Sequence, residues 1–88
     1  MTLDARLIGT RIMQKRKAYR YTQEQLSEMI GYSKNHISSI ERGHTTPTTE
    51  FIFLICDVFN ETPDYFLIGK NSEKSDELTS LINSLLPE

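Results

Sequence analysis

Cysteine is almost absent from this sequence. Cys56 stands alone among 88 residues, which excludes an internal disulfide and any small fold stapled by such bridges. Long apolar runs are missing too: no stretch approaches the roughly 18 apolar residues that cross a bilayer. The first residues turn polar within four positions and show no apolar leader segment, so the expected compartment is the cytoplasm and no membrane partner is expected. Histidine is scarce. His36, His44 and Cys56 are the only imidazole and thiol groups, and their spacing fits no zinc pattern. No nucleophile, base and orienting group fall into a set. No metal, cofactor or catalytic residue is therefore expected. Two-residue alternation, internal repeats and low-complexity tracts are also lacking, which leaves one small domain without a readable strand.

What is present is an uneven distribution of charge. The net charge is −2. Residues 1–44 carry eight Lys and Arg against four Asp and Glu, whereas residues 45–88 carry two against eight, a split of +4 and −6. One half is thereby suited to an anion and the other is not, although a chance division of surface charge gives the same numbers.

The apolar spacing reads as helices throughout. Residues 4–18 place Ile8 and Ile12 one turn apart, with Ala5 near the same face. Thr22 and Gln25 form a T-x-x-Q capping box for a second helix, with Leu26, Met29 and Ile30 as its expected apolar stripe and Gly31 as its end. Ser33 caps a third helix carrying Ile37 and Ile40, and Gly43 closes it. Thr48 caps a fourth helix reaching Phe59. Thr62-Pro63-Asp64 then supplies a cap, an N1 proline and an acidic N2 residue for a short fifth helix ending at Gly69. Residues 70–75 (KNSEKS) are a polar linker. Residues 76–86 carry Leu78, Leu81, Ile82, Leu85 and Leu86 in the spacing of an amphipathic helix, which Pro87 stops. The expected architecture is all-α: a five-helix domain over residues 1–69, a linker at 70–75 and a C-terminal amphipathic helix within 76–88.

Helices two and three are joined only by Gly31-Tyr32, so they must turn sharply on each other. Ser27 is small where they would cross, and Gly31 tolerates the left-handed turn. The run TQEQLSEMIGYSKNHISSIERGHTTP, with the helix-turn-helix at 22–43 and a closing TPDYFL, closely resembles the Xre/Cro-type helix-turn-helix family of phage and bacterial repressors. The resemblance extends from about Ile8 to Leu67. It implies a five-helix domain that binds operator DNA as a dimer. The sequence departs from the family at Arg20, where glycine is frequent, and at Tyr21, where leucine is frequent. Arg20 must then take a positive φ or change how helix one ends.

A helical wheel at about 100° per residue sets Ile37, Ile40 and Glu41 on one side of the third helix, with Asn35, Ser39 and Arg42 roughly 140–200° away. Lys34 and Ser38 flank that outer face. Asparagine pairs bidentately with adenine, lysine reaches guanine acceptors and serine is permissive. A solvated face has the same composition, and the helix-turn-helix context favours base contact by Lys34, Asn35, Ser38 and Ser39. Gln23 lies at the start of helix two, where unpaired backbone N–H groups favour an anion, and the resemblance makes it a phosphate clamp. The resemblance likewise places Ser33, Arg42, His44 and Thr45 at phosphates, and pairs Arg16 with the inward Glu41. His36 stands on the flank of the same helix, and Cys56, within FIFLICDVF, reads as a small core residue.

The expected function is a sequence-specific DNA-binding regulator, a repressor acting as a homodimer on a palindromic operator, and not an enzyme. The alternative is an antitoxin-like or regulatory adaptor whose task is to hold another protein. Helix four, with Phe51, Ile52, Phe53, Leu54, Ile55, Val58 and Phe59, is apolar on more than one face and serves either reading. The stripe of Leu78, Leu81, Ile82, Leu85 and Leu86 can fold back on helix four of its own chain or meet the same stripe of a second subunit, and dimerisation is the favoured expectation because one helix-turn-helix unit reads only a half-site.

Overall fold

A computed structural model describes residues 3–69. The linker at 70–75 and the helix expected within 76–86, with its five apolar residues, lie outside the described residues. Five helices follow in order: α1 (Ala5–Ala18), α2 (Gln23–Ile30), α3 (Lys34–Glu41), α4 (Thr49–Phe59) and α5 (Pro63–Ile68), with no strand among the described residues.

Each helix begins where a side-chain oxygen is available to its first turn. Asp4, Thr22, Ser33, Thr48 and Thr62 accept from the backbone N–H of Arg6, Gln25, His36, Phe51 and Tyr65. Such caps are worth about 1 kcal/mol each. At Thr22 the box closes in both directions, since the Gln25 side chain also accepts from the Thr22 N–H at 2.8 Å. These short helices need the help, because isolated helices below roughly 12–15 residues are marginal in water.

Ile8 and Ile12 of α1, Leu26 and Ile30 of α2, Ile37 and Ile40 of α3, the α4 residues Phe51, Ile52, Ile55, Cys56 and Phe59, and Phe66 of α5 form one buried core. Cys56 is a core residue, and burial, followed by the nearby Glu61 and Asp57 carboxylates, pushes its thiol pKa up, which disfavours the thiolate. Met29 departs from its expected stripe, and Phe53 belongs to the second apolar face expected of helix four. Met29 is 46% exposed and Phe53 58% exposed. The eight-residue α2 meets the core through the Leu26–Ile30 row alone, and Met29 falls to its edge. In α4 the buried set clusters at one-turn spacing, which leaves Phe53 on the opposite side.

Gly9 shows how closely α1 crosses α3. A methyl group there would run into the carbonyl oxygens of Ile40 and Glu41, so only glycine lets the two backbones approach. Lys15 ties α1 to the α4–α5 connection by a 2.7 Å ion pair with Glu61 and lies 4.6 Å from the centre of the Tyr65 ring. Tyr21, the family's frequent leucine position, packs near Tyr19 and Phe59 at centroid distances of 5.9 and 6.1 Å, so an aromatic covers the same edge of the core.

The end of α1 is where backbone geometry and residue type disagree. The Arg20 N–H donates to the Lys17 carbonyl at 2.9 Å and the Tyr21 N–H to the Arg16 carbonyl at 3.1 Å. This pair of bonds closes a helix only if the intervening residue is left-handed. Arg20 accordingly has φ 62°, whereas the equivalent turn after α3 uses Gly43 at φ 79°. The left-handed conformation costs a non-glycine residue roughly 1–2 kcal/mol. Arg20→Gly is therefore expected to raise stability by about 0.5–1 kcal/mol, after allowance for the added chain entropy of glycine. Urea denaturation would show a higher midpoint at unchanged slope; a lower midpoint would mean that the Arg20 side chain holds the fold.

Candidate nucleic-acid interface

The α2–α3 turn is built from three elements. Gly31 is left-handed at φ 78°, and its N–H returns to the Ser27 carbonyl at 2.9 Å. The Ser27 hydroxyl donates to the Tyr32 carbonyl. Tyr32 then meets Phe51 edge-on at 5.0 Å and His36 at 5.3 Å, so an aromatic stack pins the first turn of α3 onto α4. His36 is half-buried in this stack rather than displayed on the outer face.

The far end of α3 is held by charge. Glu41 is 5% exposed and Arg16 8% exposed. Arg16 Nε donates to Glu41 Oε2 at 2.7 Å and Nη2 to Oε1 at 3.0 Å, a bidentate pair of the strong, geometrically fixed kind. Arg16 Nη1 also donates to the Tyr21 carbonyl at 2.8 Å, and Gln23 Nε2 donates to Glu41 Oε1 at 2.9 Å. The pair expected from the sequence thus forms, and it is larger than expected. Gln23 belongs to it, which no spacing in the sequence indicates, because the contact joins the start of α2 to the end of α3.

With both ends fixed, α3 turns Ile37 and Ile40 inward, while Lys34, Asn35 and Arg42 are exposed and Ser38 and Ser39 are half-buried. The Ser39 and Thr45 hydroxyls share a hydrogen bond of 2.6 Å, which braces the segment after α3 against the helix. Ser33 is exposed but its hydroxyl is engaged as the α3 cap, accepting from the His36 N–H at 3.0 Å. His44 is exposed beside it in sequence with Thr45 half-buried. An open hollow of about 510 Å³ lies beside the start of α2, lined by Arg16, Arg20, Tyr21, Thr22, Gln23, Glu24 and Lys34. It brings the Gln23 clamp candidate next to Lys34, and next to Arg20, which the motif did not single out. No group of three His, Cys, Asp or Glu suited to a metal occurs among the described residues, and no described helix is long and apolar enough to cross a membrane.

The α3 helix thus has its apolar side inward and its polar side outward, with a basic hollow at its flank. The helix-turn-helix family model matches residues 12–66. The chain belongs to the Xre/Cro-type helix-turn-helix family. Among the relatives of this helix-turn-helix chain is the HTH-type transcriptional regulator ImmR of Bacillus subtilis, 28% identical over 81 residues, covering 92% of this chain and 63% of the relative. The P22 c2 repressor bound to a synthetic operator superposes with a TM-score of 0.69 at 36% identity, covering 73% of this chain and 97% of that chain. A SinR protein in complex with SinI protein gives a TM-score of 0.66 at 29% identity, covering 92% of this chain and 84% of that chain. The helix-turn-helix chain spans under two thirds of the length of ImmR and about a third of the Repressor protein C2 of Salmonella phage P22, with 63% and 33% of each covered.

Removing the buried carboxylate tests whether the pair anchors the interface. Glu41→Ala leaves the Arg16 guanidinium with the Tyr21 carbonyl alone and the Gln23 amide without its acceptor, and is expected to cost about 3–5 kcal/mol. A chemical denaturation curve overlying that of wild type would remove the anchoring role.

Proposed function

We propose that this chain is a sequence-specific DNA-binding transcriptional regulator, a repressor that binds a palindromic operator as a homodimer. The observation that carries the reading is the outer face of α3, where Lys34, Asn35, Ser38 and Ser39 are presented by a helix anchored at both ends. In this reading α3 enters the major groove, and these four residues meet base edges. Gln23, Ser33, Arg42, His44 and Thr45 meet the phosphates on either side and set the register. The operator complex of the related c2 repressor supports duplex DNA as the partner. The role is binding in the cytoplasm, with no catalytic step, cofactor or metal.

Dimerisation rests on the apolar stripe Leu78, Leu81, Ile82, Leu85 and Leu86. Each such side chain is worth about 1.5–3 kcal/mol when fully buried, and a stripe of that size calls for a partner surface. A cleft of about 210 Å³ lined by Leu3, Ile8, Thr46, Pro47, Thr49, Ile52, Phe53, Pro63 and Leu67 includes no residue of α2 or α3. Use of this cleft by the stripe of a second copy leaves the recognition face open. The SinR–SinI complex favours a second reading, in which the apolar surface holds a different protein.

Selection of bound duplexes from a random pool tests the first reading. It is expected to return a palindrome whose half-sites lie one helical turn apart, roughly 34–36 Å. Recovery of no preferred sequence at about 0.15 M salt would favour the protein-holding reading. Asn35→Ala is expected to relax preference at one base position of each half-site, at about 1–3 kcal/mol. Gln23→Ala is expected to weaken all sequences alike. An unchanged selected motif and affinity for Asn35→Ala would remove the α3 assignment. Deleting residues 76–88 leaves the core residues 8–66 intact and is expected to give a folded monomer that binds half-sites weakly. Sedimentation of both chains as dimers would exclude the C-terminal stripe as the dimer contact.

A further inference from the structure

We infer that Arg20 is a DNA-phosphate contact, reaching the strand from the rim of the hollow that it shares with Lys34 and Gln23. The inference rests on the DNA-binding reading and adds a residue that the family motif does not supply.

Arg20 has no structural task that requires a side chain. Its two closing hydrogen bonds are made by backbone groups, through its own N–H and that of Tyr21, and glycine would make both without the left-handed strain at φ 62°. Three basic residues of α1 are engaged within the fold, whereas Arg6 and Lys17 do not line the hollow. Arg11 donates to the Phe66 carbonyl at 3.1 Å, Lys15 pairs with Glu61, and Arg16 pairs with Glu41. The Arg20 side chain is exposed and forms no ion pair or hydrogen bond among the described residues, and the same holds for Lys34 across the hollow.

The charge of the hollow follows from its lining. Arg16 is already neutralised by Glu41, and Glu24 is the one acidic side chain among the lining residues. Arg20 and Lys34 therefore leave the hollow net positive, beside the Gln23 amide. A planar guanidinium carrying several donors, with no protein acceptor, suits a phosphodiester oxygen. At this position the side chain works against stability and offers charge to a polyanion approaching α3. A family member with glycine here has an unstrained turn and lacks that contact.

The test is the affinity of the full chain for two duplexes, one enriched from the random pool and one of mixed sequence, measured across a range of salt. Arg20→Gly and Arg20→Asn both suit the left-handed turn and remove the charge; Arg20→Lys keeps the charge. The glycine and asparagine variants are expected to melt no lower than wild type. They should bind both duplexes about fivefold more weakly near 0.15 M salt, with the slope of log K against log salt reduced in magnitude by about 1.8, the loss of one phosphate contact from each subunit of the dimer. Arg20→Lys should keep the wild-type slope. Wild-type affinity and slope in the glycine and asparagine variants would overturn the inference. If wild type shows no sequence preference, the regulator reading fails, and the slope on the mixed duplex still decides Arg20. Absence of any DNA binding by wild type would remove both.

Discussion

The buried contact between Arg16 and Glu41 is the constraint on which the other parts depend. A carboxylate this deep must be compensated, and here it accepts from the Arg16 guanidinium and from the Gln23 amide, while Arg16 also reaches the Tyr21 carbonyl. The donors and acceptors come from α1, the turn after it, the start of α2 and the end of α3. One network therefore sets the angle at which α3 leaves the core and the position of the α2 start beside it. An apolar replacement could fill the space, but it would not orient the Gln23 amide or the Tyr21 turn, because dispersion contacts are non-directional and a bidentate pair is not.

The other end of α3 is anchored by shape rather than charge. Tyr32, His36 and Phe51 stack across the turn, and Gly9 allows α1 to lie directly against the α3 carbonyls. An eight-residue helix has too few hydrogen bonds to be rigid by itself. Fixed at both ends, it keeps its outward side chains in one register relative to the hollow, a requirement for any helix that reads bases and phosphates together. The Ser39–Thr45 bond extends the same fixed frame into the segment that follows.

Local sequence was sufficient wherever the determining interaction is itself local. Four of the five caps, the Thr22–Gln25 box, the left-handed Gly31 and Gly69 and the N1 proline of α5 fall where residue type and spacing place them, while Asp4, read as the first residue of helix one, is its cap. Each depends on atoms within a few residues of one another. The inward side of α3 was legible for the same reason, since Ile37, Ile40 and Glu41 follow from helical period alone. The Arg16–Glu41 pair was legible only through family resemblance, because nothing in its 25-residue separation indicates proximity. Met29 was misassigned to an apolar stripe because hydropathy records which residues resist water, not which of them find a neighbour.

The residues by themselves therefore determined the order, ends and faces of the helices and the sharp α2–α3 turn, while the need for a left-handed residue, or an altered helix end, at Arg20 followed from the family resemblance. Tertiary structure alone decided that Gln23 joins the buried pair, that Gly9 is a crossing point, that His36 is stacked rather than displayed, and that Arg20 faces the same hollow as Lys34. The division has one physical cause. Caps, turns and helical period arise from interactions between near neighbours along the chain, whereas these contacts exist only once the packing of Ile and Phe side chains has brought distant helices together and fixed their angles.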